Sequence, residues 1–206
     1  MKKIDFKKEL KELYKASSKE VQIVKVPRLN YLMIDGTGDP NTSQEYKDAV
    51  EALFSLSYTV KFMIKKGSMG IDYGVMPLQG LWYHDNMELF SQERKEEWKW
   101  TSLIMQPEFV SKEIIEEGIE QVKKKKDLPG ISKIRFESLD EGLVAQIIHI
   151  GPYSEEMPTI EKLHNFIEEN GYIKVGNHHE IYLSDPRKAA PQNLKTIIRQ
   201  PISLKK

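Results

Sequence analysis

The sequence contains no cysteine among its 206 residues. This absence excludes disulfide bonds, a thiol nucleophile and a cysteine-ligated zinc site. The five histidines form no His-Glu-x-x-His motif. His178 and His179 are adjacent, and adjacent side chains on a strand point to opposite faces of a sheet. We therefore expect neither a bound metal nor another cofactor.

An excess of charge is also lacking, because Lys plus Arg and Asp plus Glu both number 31. Binding to nucleic-acid phosphates needs a basic surface, so we expect no nucleic-acid partner. No apolar run approaches the roughly 18 residues that a membrane helix requires. Residues 1–6 lack the apolar core of a signal peptide. We expect a cytoplasmic protein with no membrane partner, and its oligomeric state stays open.

The chain contains an internal repeat. Residues 30–106 run through a strand-like segment, a turn, an amphipathic helix and two further strand-like segments. Residues 143–201 repeat that order, and Asp85 and Asp185 close the third segment of each copy. Two copies of one unit can pair about a pseudo-twofold axis, and the seam between such repeats is a common place for a ligand.

These patterns predict an α+β fold with two tandem strand-helix-strand-strand modules. The antiparallel sheets of the modules are expected to be related by the pseudo-twofold axis. We take residues 1–206 as a single domain. The first module covers about 20–107, a linker helix about 111–126, and the second module about 131–204.

In the first module, the spacing of apolar residues behind a capping box predicts a helix over residues 43–56. Residues 21–26 are predicted as a strand at the start of this module. Residues 58–65, 80–85 and 98–105 are predicted as its later strands.

The strand around Glu180 carries the first candidate for chemistry. Strand alternation places Glu180 and Tyr182 on one face, with Ile181 and Leu183 on the other. One interpretation is that Ile181 and Leu183 face the helix, while Glu180 and Tyr182 simply face water.

The repeat offers a second interpretation. When Asp85 is aligned with Asp185, Trp82 corresponds to Tyr182 and Gly80 corresponds to Glu180. Gly80, Trp82 and His84 share a face, so the helix-free face of each sheet is expected to carry an aromatic ring at the same place. Two such faces meeting across the pseudo-dyad would form an aromatic cleft with Glu180 at its bottom.

Three further rings leave alternatives open. Trp98 and Trp100 share one strand face and either line the cleft or cover the edge of the core. Tyr153 lies at a strand-to-helix corner. Its ring either packs under the helix or places its hydroxyl group in the cleft.

The second half of the chain resembles a known family. It contains His149-Ile-Gly-Pro-Tyr153, a helix that ends at Asn170-Gly171, and His179-Glu-Ile-Tyr-Leu-Ser-Asp-Pro186. These motifs resemble the GyrI-like (gyrase-inhibitor-like) small-molecule-binding superfamily, and the resemblance covers about residues 20–204. It implies two strand-helix-strand-strand modules about a pseudo-twofold axis. It also implies that Glu180 lies in the central cleft and meets planar aromatic or cationic ligands, as in multidrug-sensing members.

Some stand-alone members of this superfamily are cyclopropanoid cyclopropyl hydrolases, which open the cyclopropane ring of DNA-alkylating compounds with a glutamate and a tryptophan. The resemblance implies Glu180 and Trp82 as the catalytic pair. The predicted ligand-binding residues are Glu180, Trp82, Tyr182, Tyr153, Trp100 and His84. Three functions stay open: a detoxifying hydrolase, a non-catalytic protein that sequesters or senses xenobiotics, and a protein-interaction module. The expected partner in the first two is a small aromatic or cationic molecule.

Overall fold

A computed structural model describes residues 2–85 and 92–205, without the side chains of residues 92 and 93. The described residues form eleven strands and five α-helices. In chain order these are β1 (Lys2–Ile4), α1 (Phe6–Glu9), α2 (Lys11–Tyr14), β2 (Gln22–Val26), β3 (Leu29–Thr37), α3 (Gln44–Lys66), β4 (Ile71–Tyr73), β5 (Leu78–Tyr83), β6 (Lys99–Gln106), α4 (Lys112–Lys123), β7 (Arg135–Leu139), β8 (Gly142–Ile150), α5 (Met157–Glu169), β9 (Tyr172–Lys174), β10 (His178–Tyr182) and β11 (Lys195–Leu204).

The chain forms two compact units. The first unit contains Met1–Glu9 and Leu29–Leu139, and the second contains Leu10–Arg28 and Asp140–Lys206. In the first unit, β5, β6, β3 and β7 lie side by side in that order, and all three pairings are antiparallel. The short strands β1 and β4 pair in parallel within the same unit.

Helix α3 covers one face of the first unit's sheet. The Ser43 side chain caps its start by accepting a hydrogen bond from the Tyr46 amide. Along the helix, Leu53, Leu56 and Val60 are completely buried, at the three- and four-residue spacing of one helical face.

The predicted strand over residues 58–65 is wrong, because these residues continue α3 to Lys66. Their apolar side chains alternate, as in a strand, but Val60 and Ile64 also extend the helical stripe four residues apart. In the structure Val60 and Ile64 are buried, whereas Tyr58 and Phe62 are 50% and 44% exposed. These residues therefore form a helix because packing buries the side chains that are four residues apart.

Gly118 explains how closely α4 packs against α3. A Cβ atom at Gly118 would lie 2.9 Å from Cγ2 of Val60 and 3.0 Å from Cδ1 of Leu56. Because residue 118 has no side chain, the α4 backbone can lie directly against the side chains of Val60 and Leu56 on α3. The helix predicted over about 111–126 thus forms, as α4, and it packs on α3.

In the second unit, β2, β8, β11 and β10 lie side by side in that order, and each neighbouring pair is antiparallel. β9 pairs with the C-terminal end of β11. Helix α5 covers one face. The core between helix and sheet consists of Ala145, Ile147, Leu163, Ile167, Ile198 and Ile202. The short helix α2 meets the other face, where its backbone oxygens at Glu12 and Leu13 accept hydrogen bonds from Gln146 and Arg199.

Two strands pair differently from the predicted modules. Residues 21–26 were assigned to the first module, but β2 pairs with β8 in the second unit. The predicted second module begins at about residue 131 and so includes β7, but β7 pairs with β3 in the first unit. The physical reason is that strand pairing is non-local: each edge strand follows its hydrogen-bonding partner rather than its position along the chain.

The α+β class is confirmed, with antiparallel pairing in the larger sheets and one small parallel pair. The strand-helix-strand-strand order occurs in both units, as β3-α3-β5-β6 and as β8-α5-β10-β11. Each unit also has one short extra strand after its helix, β4 or β9. The pseudo-twofold relation stays a prediction. Among the described helices, none combines the length and apolar character that crossing a membrane would need.

Candidate functional site

Glu180 lies on the face of the second unit's sheet that α5 covers. Its neighbour across the β10–β11 pair is Ile198, and Ile198 packs in the core with Leu163 and Ile167 of α5. Neighbours across a pair share a face, so Glu180 points to the helix side. The expectation of a helix-free face was therefore wrong. The physical reason is that Ile198, the cross-strand neighbour of Glu180, is one of the apolar residues that α5 helps to bury, so the row on β10 shares the face on which α5 packs.

The Glu180 carboxylate is held by both of its same-face neighbours on β10. Nε2 of His178 lies 3.0 Å from Oε1, and the Tyr182 hydroxyl group donates to Oε2 at 2.8 Å. The Glu180 side chain is only 15% exposed and that of His178 only 7%. The strand's two-residue period places all three side chains in one row, so a single strand builds this polar group.

Tyr153 adds a ring to the row. Its ring centroid lies 5.7 Å from that of Tyr182, and the two planes meet at 77°, an edge-to-face contact. The Tyr153 side chain remains 37% exposed. Of the alternatives for Tyr153, the structure shows a ring that packs on Tyr182 and still offers surface to solvent.

The loop before Tyr153 is held by His149. Its Nε2 donates to the Pro152 carbonyl at 3.2 Å, and its Nδ1 lies 3.0 Å from the Thr159 hydroxyl group on α5. A carbonyl only accepts, so Nε2 carries a proton, and Nδ1 has the Thr159 hydroxyl group as its partner. Gly151 has φ of +143°, a backbone conformation that favours glycine, and it lets the chain turn directly over the imidazole.

The surroundings of Tyr153 are acidic. Burial raises the pKa of Tyr153, and together with the charges of Glu156, Glu180 and Asp185, which act in the same direction, it brings the pKa to about 12. The phenol therefore stays protonated near neutral pH. Asp185 is paired with Arg187 at 2.9 Å, so Glu156 and Glu180 are the carboxylates that make this end of the second unit attractive to a cation.

His164 on α5 lies behind the same strand. Burial lowers its pKa, and together with the charges of Lys174 and His178 it brings the pKa to about 4. Its Nδ1 lies 3.4 Å from Nζ of Lys174. His164 is therefore neutral near neutral pH, and the positive charges on this side of β10 come from other groups.

In the first unit, Trp82 belongs to a cluster of rings beneath the start of α3. The Tyr46 ring lies 6.0 Å from Trp82 and 5.0 Å from Trp100, and Trp98 lies 5.6 Å from Trp82. Because Tyr46 belongs to α3, Trp82 too lies on a helix-covered face rather than a helix-free one. The Trp82 side chain is 4% exposed.

Trp100 is a correction to the predicted ligand-binding set. Its ring is 0% exposed and lies over Gly36, where a Cβ atom would be only 2.2 Å from Cζ2. A ring enclosed in this way offers no surface to a ligand, so Trp100 supports Trp82 from within the core. Of the alternatives for Trp98 and Trp100, the core interpretation is the one that the structure favours.

His84 lies at the end of β5, and its Nε2 is 3.3 Å from Oε2 of Glu97. Arg94 donates twice to the other oxygen of Glu97, at 3.0 and 2.6 Å. This makes His84 part of a charged surface cluster in the first unit. No set of three or more His, Asp or Glu side chains suited to a metal occurs in the described residues.

The sequence analysis missed a buried charge network on the other face of β10. Glu141 accepts from Nδ1 of His179 at 2.8 Å and from Nη1 of Arg199 at 3.1 Å. Burial alone would raise the pKa of Glu141, but the charges and hydrogen bonds of His179 and Arg199 outweigh it and hold the pKa at about 2. Arg199 also donates to the Leu13 carbonyl of α2. The adjacent histidines thus serve opposite faces: His178 meets Glu180, and His179 meets Glu141.

His178 was considered in the sequence only as a metal ligand. The signal that could have found its contact is the two-residue spacing of His178, Glu180 and Tyr182, which places three polar side chains in a row on one strand. The buried network was not visible in this way, because it joins residues far apart along the chain.

The chain belongs to the GyrI-like family. The model of the GyrI-like small molecule binding domain matches residues 19–203, nearly the whole chain. The protein is therefore a GyrI-like small-molecule-binding domain. No curated protein matches the chain.

Solved structures with similar folds extend this assignment. An uncharacterised conserved protein from Listeria innocua is 39% identical with a TM-score of 0.90, covering 97% of this chain and 100% of its own. A hydrolase from Listeria innocua is 41% identical with a TM-score of 0.88, covering 98% of this chain and 100% of its own. The C-terminal domain of EcmrR shares only the fold, at 14% identity and a TM-score of 0.55, covering 90% of this chain and 98% of its own.

Proposed function

We propose that the protein binds a planar aromatic or cationic molecule at Glu180 and hydrolyses a strained cyclopropane ring within it. The observation that carries the proposal is the Glu180 carboxylate, which is 15% exposed and held at Oε1 by His178 and at Oε2 by Tyr182. An ion pair formed at a shielded carboxylate is screened much less than one on an open surface. A fixed carboxylate also loses little freedom when a ligand arrives.

The rings beside Glu180 suit a flat ligand. Tyr153 keeps 37% of its surface exposed while its edge-to-face contact with Tyr182 holds its orientation. A planar ligand stacked on such a ring gains about 0.5–1.5 kcal/mol beyond the area it buries. A positive charge over the ring adds about 0.5–1 kcal/mol at an exposed site. Glu156 strengthens the preference for a cation, because its charge also reaches Tyr153.

The hydrolytic part of the proposal has support from relatives. Two Listeria innocua proteins described as hydrolases are 40% and 41% identical to this chain over 97% and 98% of its length. Within the described residues no metal cluster is present, and the sequence has no cysteine. An acid–base mechanism with Glu180 acting on water uses the groups that the second unit brings together.

In the proposed reaction, Glu180 takes a proton from water while the water oxygen bonds to a cyclopropane carbon. The carbon–carbon bond of the ring breaks, and its electron pair moves into the conjugated carbonyl group of the substrate, which becomes a phenolate. A proton then converts the phenolate to a phenol, so the net change is addition of one water. Opening the ring removes the alkylating carbon, and the physiological role would be detoxification.

Trp82 is the second catalytic residue in this proposal. Its indole N–H is a donor only, the type of group that stabilises a developing oxyanion. The contacts of Trp82 with Tyr46 and Trp98 restrict its ring to one orientation. Trp82→Phe is expected to lower the rate of ring opening while the affinity for the substrate changes little.

The test uses a model spirocyclopropyl cyclohexadienone in water labelled with ¹⁸O. The wild-type protein should convert the dienone to the phenol and place one ¹⁸O atom on the former ring carbon. Glu180→Gln keeps the size of the side chain but cannot take the proton, so it should abolish turnover while a neutral planar ligand still binds. Turnover by Glu180→Gln at the wild-type rate would refute the role of Glu180 as the base.

A second function, binding without catalysis, is favoured by one observation. Both oxygens of Glu180 already accept a hydrogen bond, from His178 and from Tyr182. A carboxylate held in this way suits an ion pair with a bound cation as well as it suits water activation. A protein that binds ethidium through Glu180 but leaves the spirocyclopropyl dienone unchanged would be a sequestering or sensing protein.

A further inference from the structure

We infer that His178 is a positioning residue of the ligand site, and that its hydrogen bond fixes the Glu180 carboxylate in the orientation that receives a cation. This inference rests on the proposed function, because it assigns a new residue to the same site. It concerns a contact between two side chains of one strand, with Nε2 of His178 lying 3.0 Å from Oε1 of Glu180.

The direction of the hydrogen bond follows from the acceptor. An ionised carboxylate only accepts, so Nε2 of His178 is the donor. His178 is 6% exposed as a residue, which leaves little access for water to replace this partner. The buried N–H group and the shielded carboxylate therefore depend on each other, and loss of either would leave the other with one partner fewer.

The two donors act on different oxygens. His178 holds Oε1, and Tyr182 holds Oε2 at 2.8 Å. A single donor fixes one oxygen of a carboxylate and leaves the other oxygen free to move. A donor on each oxygen restricts the plane of the whole group. His178 thus helps to orient the Glu180 carboxylate before a ligand arrives. Binding then does not have to restrict the motion of this group.

Charge explains why an imidazole serves at this position. His178 donates to Glu180 through Nε2 without the permanent positive charge of a lysine or arginine side chain. The charged groups near this region are Glu180 on the same strand, Lys174 beside His164, and Glu156 and Asp185 near Tyr153. Asp185 is itself paired with Arg187 and Lys188. A lysine or arginine in place of His178 would satisfy Glu180 equally well but would cancel the charge that attracts a cation.

The binding experiment compares ethidium, a planar cation, with phenanthridine, its neutral parent ring system, by tryptophan fluorescence. His178→Leu removes the donor at similar volume, and His178→Gln keeps an N–H donor. We expect His178→Leu to bind ethidium about 10-fold more weakly, as for loss of one hydrogen bond to a charged group. Phenanthridine binding should change little, and His178→Gln should stay within about 3-fold of the wild type for both dyes.

His164→Leu is the matched control, because it removes another histidine of the same unit that packs behind β10. It should leave the ratio of the two affinities unchanged. A merely structural His178 would weaken both dyes together or lower only the thermal stability. An unchanged affinity ratio in folded His178→Leu would overturn the inference.

A second measurement needs no ligand and no His178 variant. The ¹⁵N NMR signals of the His178 imidazole report its tautomer, and we expect a protonated Nε2 in the wild type that shifts when Glu180→Ala removes the acceptor. Identical His178 signals in both proteins would reject the contact. If instead the signals shift but the wild-type protein does not discriminate between ethidium and phenanthridine, the contact stands and the proposed function fails.

Discussion

Arg199 and Glu141 form a buried ion pair in which Nη1 lies 3.1 Å from Oε2 and the two side chains are only 2% and 3% exposed. Arg199→Met would leave Glu141 as a buried charge with one partner fewer. Breaking such a pair from one side costs about 3–5 kcal/mol of unfolding free energy. Urea unfolding of the wild type and the variant measures this difference.

The control for this prediction is Lys99→Met. Lys99 pairs with Asp85 at 2.6 Å, but those side chains are 38% and 76% exposed. Exposed pairs contribute little because water and salt screen them, so the urea midpoint of Lys99→Met should match the wild type. Equal midpoints for Arg199→Met and Lys99→Met would contradict the importance of the buried network.

Gly36→Ala should destabilise the first unit. The added Cβ atom would lie 2.2 Å from Cζ2 of Trp100, a ring that is 0% exposed and held by Tyr46 at 5.0 Å. Overpacking of this kind typically costs about 1–3 kcal/mol, since the ring must leave its preferred position. Thermal unfolding with near-ultraviolet circular dichroism, which reports tryptophan packing, would measure the loss.

Gly74→Ala is the matched control for that substitution. A Cβ atom at Gly74 meets nothing within 4 Å, so the same chemical change adds no clash there. Its melting temperature should stay close to that of the wild type. A similar loss in both alanine variants would show that the enclosed tryptophan is not the cause.

The stability of the second unit should depend on pH through His164. Burial lowers the pKa of His164 to about 4 from its ordinary 6.5, so the unfolded chain takes up a proton at a higher pH than the folded chain does. Stability from this group is therefore complete above pH 6.5 and falls as the pH drops to about 4. His164→Leu should remove about 1–2 kcal/mol of that decline, allowing for partial exposure to solvent.

The measurement is the unfolding free energy in urea between pH 7 and pH 4, compared for the wild type and His164→Leu. Because Glu141 has its pKa lowered from 4.5 to about 2, its contribution is present above pH 4.5 and disappears only as the pH falls toward 2. Both proteins should therefore still lose stability below pH 4.5. Parallel pH curves above that value would disprove the assignment to His164.

Tyr182→Phe separates the two donors to Glu180. The phenylalanine keeps the ring against Tyr153 but lacks the hydroxyl group that donates to Oε2 at 2.8 Å. Ethidium binding should weaken by about 1–2 kcal/mol, within the range for loss of a hydrogen bond to a charged acceptor. Isothermal titration calorimetry measures this change, and Tyr153→Phe provides the control because its ring contact with Tyr182 is kept. Ethidium affinity equal to the wild type in Tyr182→Phe would exclude the hydroxyl group from the site.

Much of the local architecture could be predicted from the residues. The repeat predicted strand-helix-strand-strand order in both halves, and the structure has it in both units. The alternation along β10 predicted that Glu180 and Tyr182 share a face, and their 2.8 Å hydrogen bond requires it. Predictions of this kind succeed because a strand's two-residue period depends only on the backbone.

The errors have one physical origin. Residues 58–65 satisfy both the strand and the helix pattern, and only the burial of Val60 and Ile64 in the folded protein decides between them. The unit to which β2 and β7 belong also depends on long-range contacts, because their partner strands β8 and β3 are distant in sequence. Pairing and packing partners are chosen by contacts between segments, which no local pattern contains.

By itself, the amino-acid sequence determined the family, the α+β class and the common face of Glu180 and Tyr182 on one strand. Only the tertiary structure decided that this face is the one on which α5 packs, that Trp100 is enclosed over Gly36, and that His179 joins Glu141 and Arg199 on the opposite face. The reason is that spacing along a chain sets which side chains share a face, whereas long-range packing sets which face is covered and therefore what each side chain can bind.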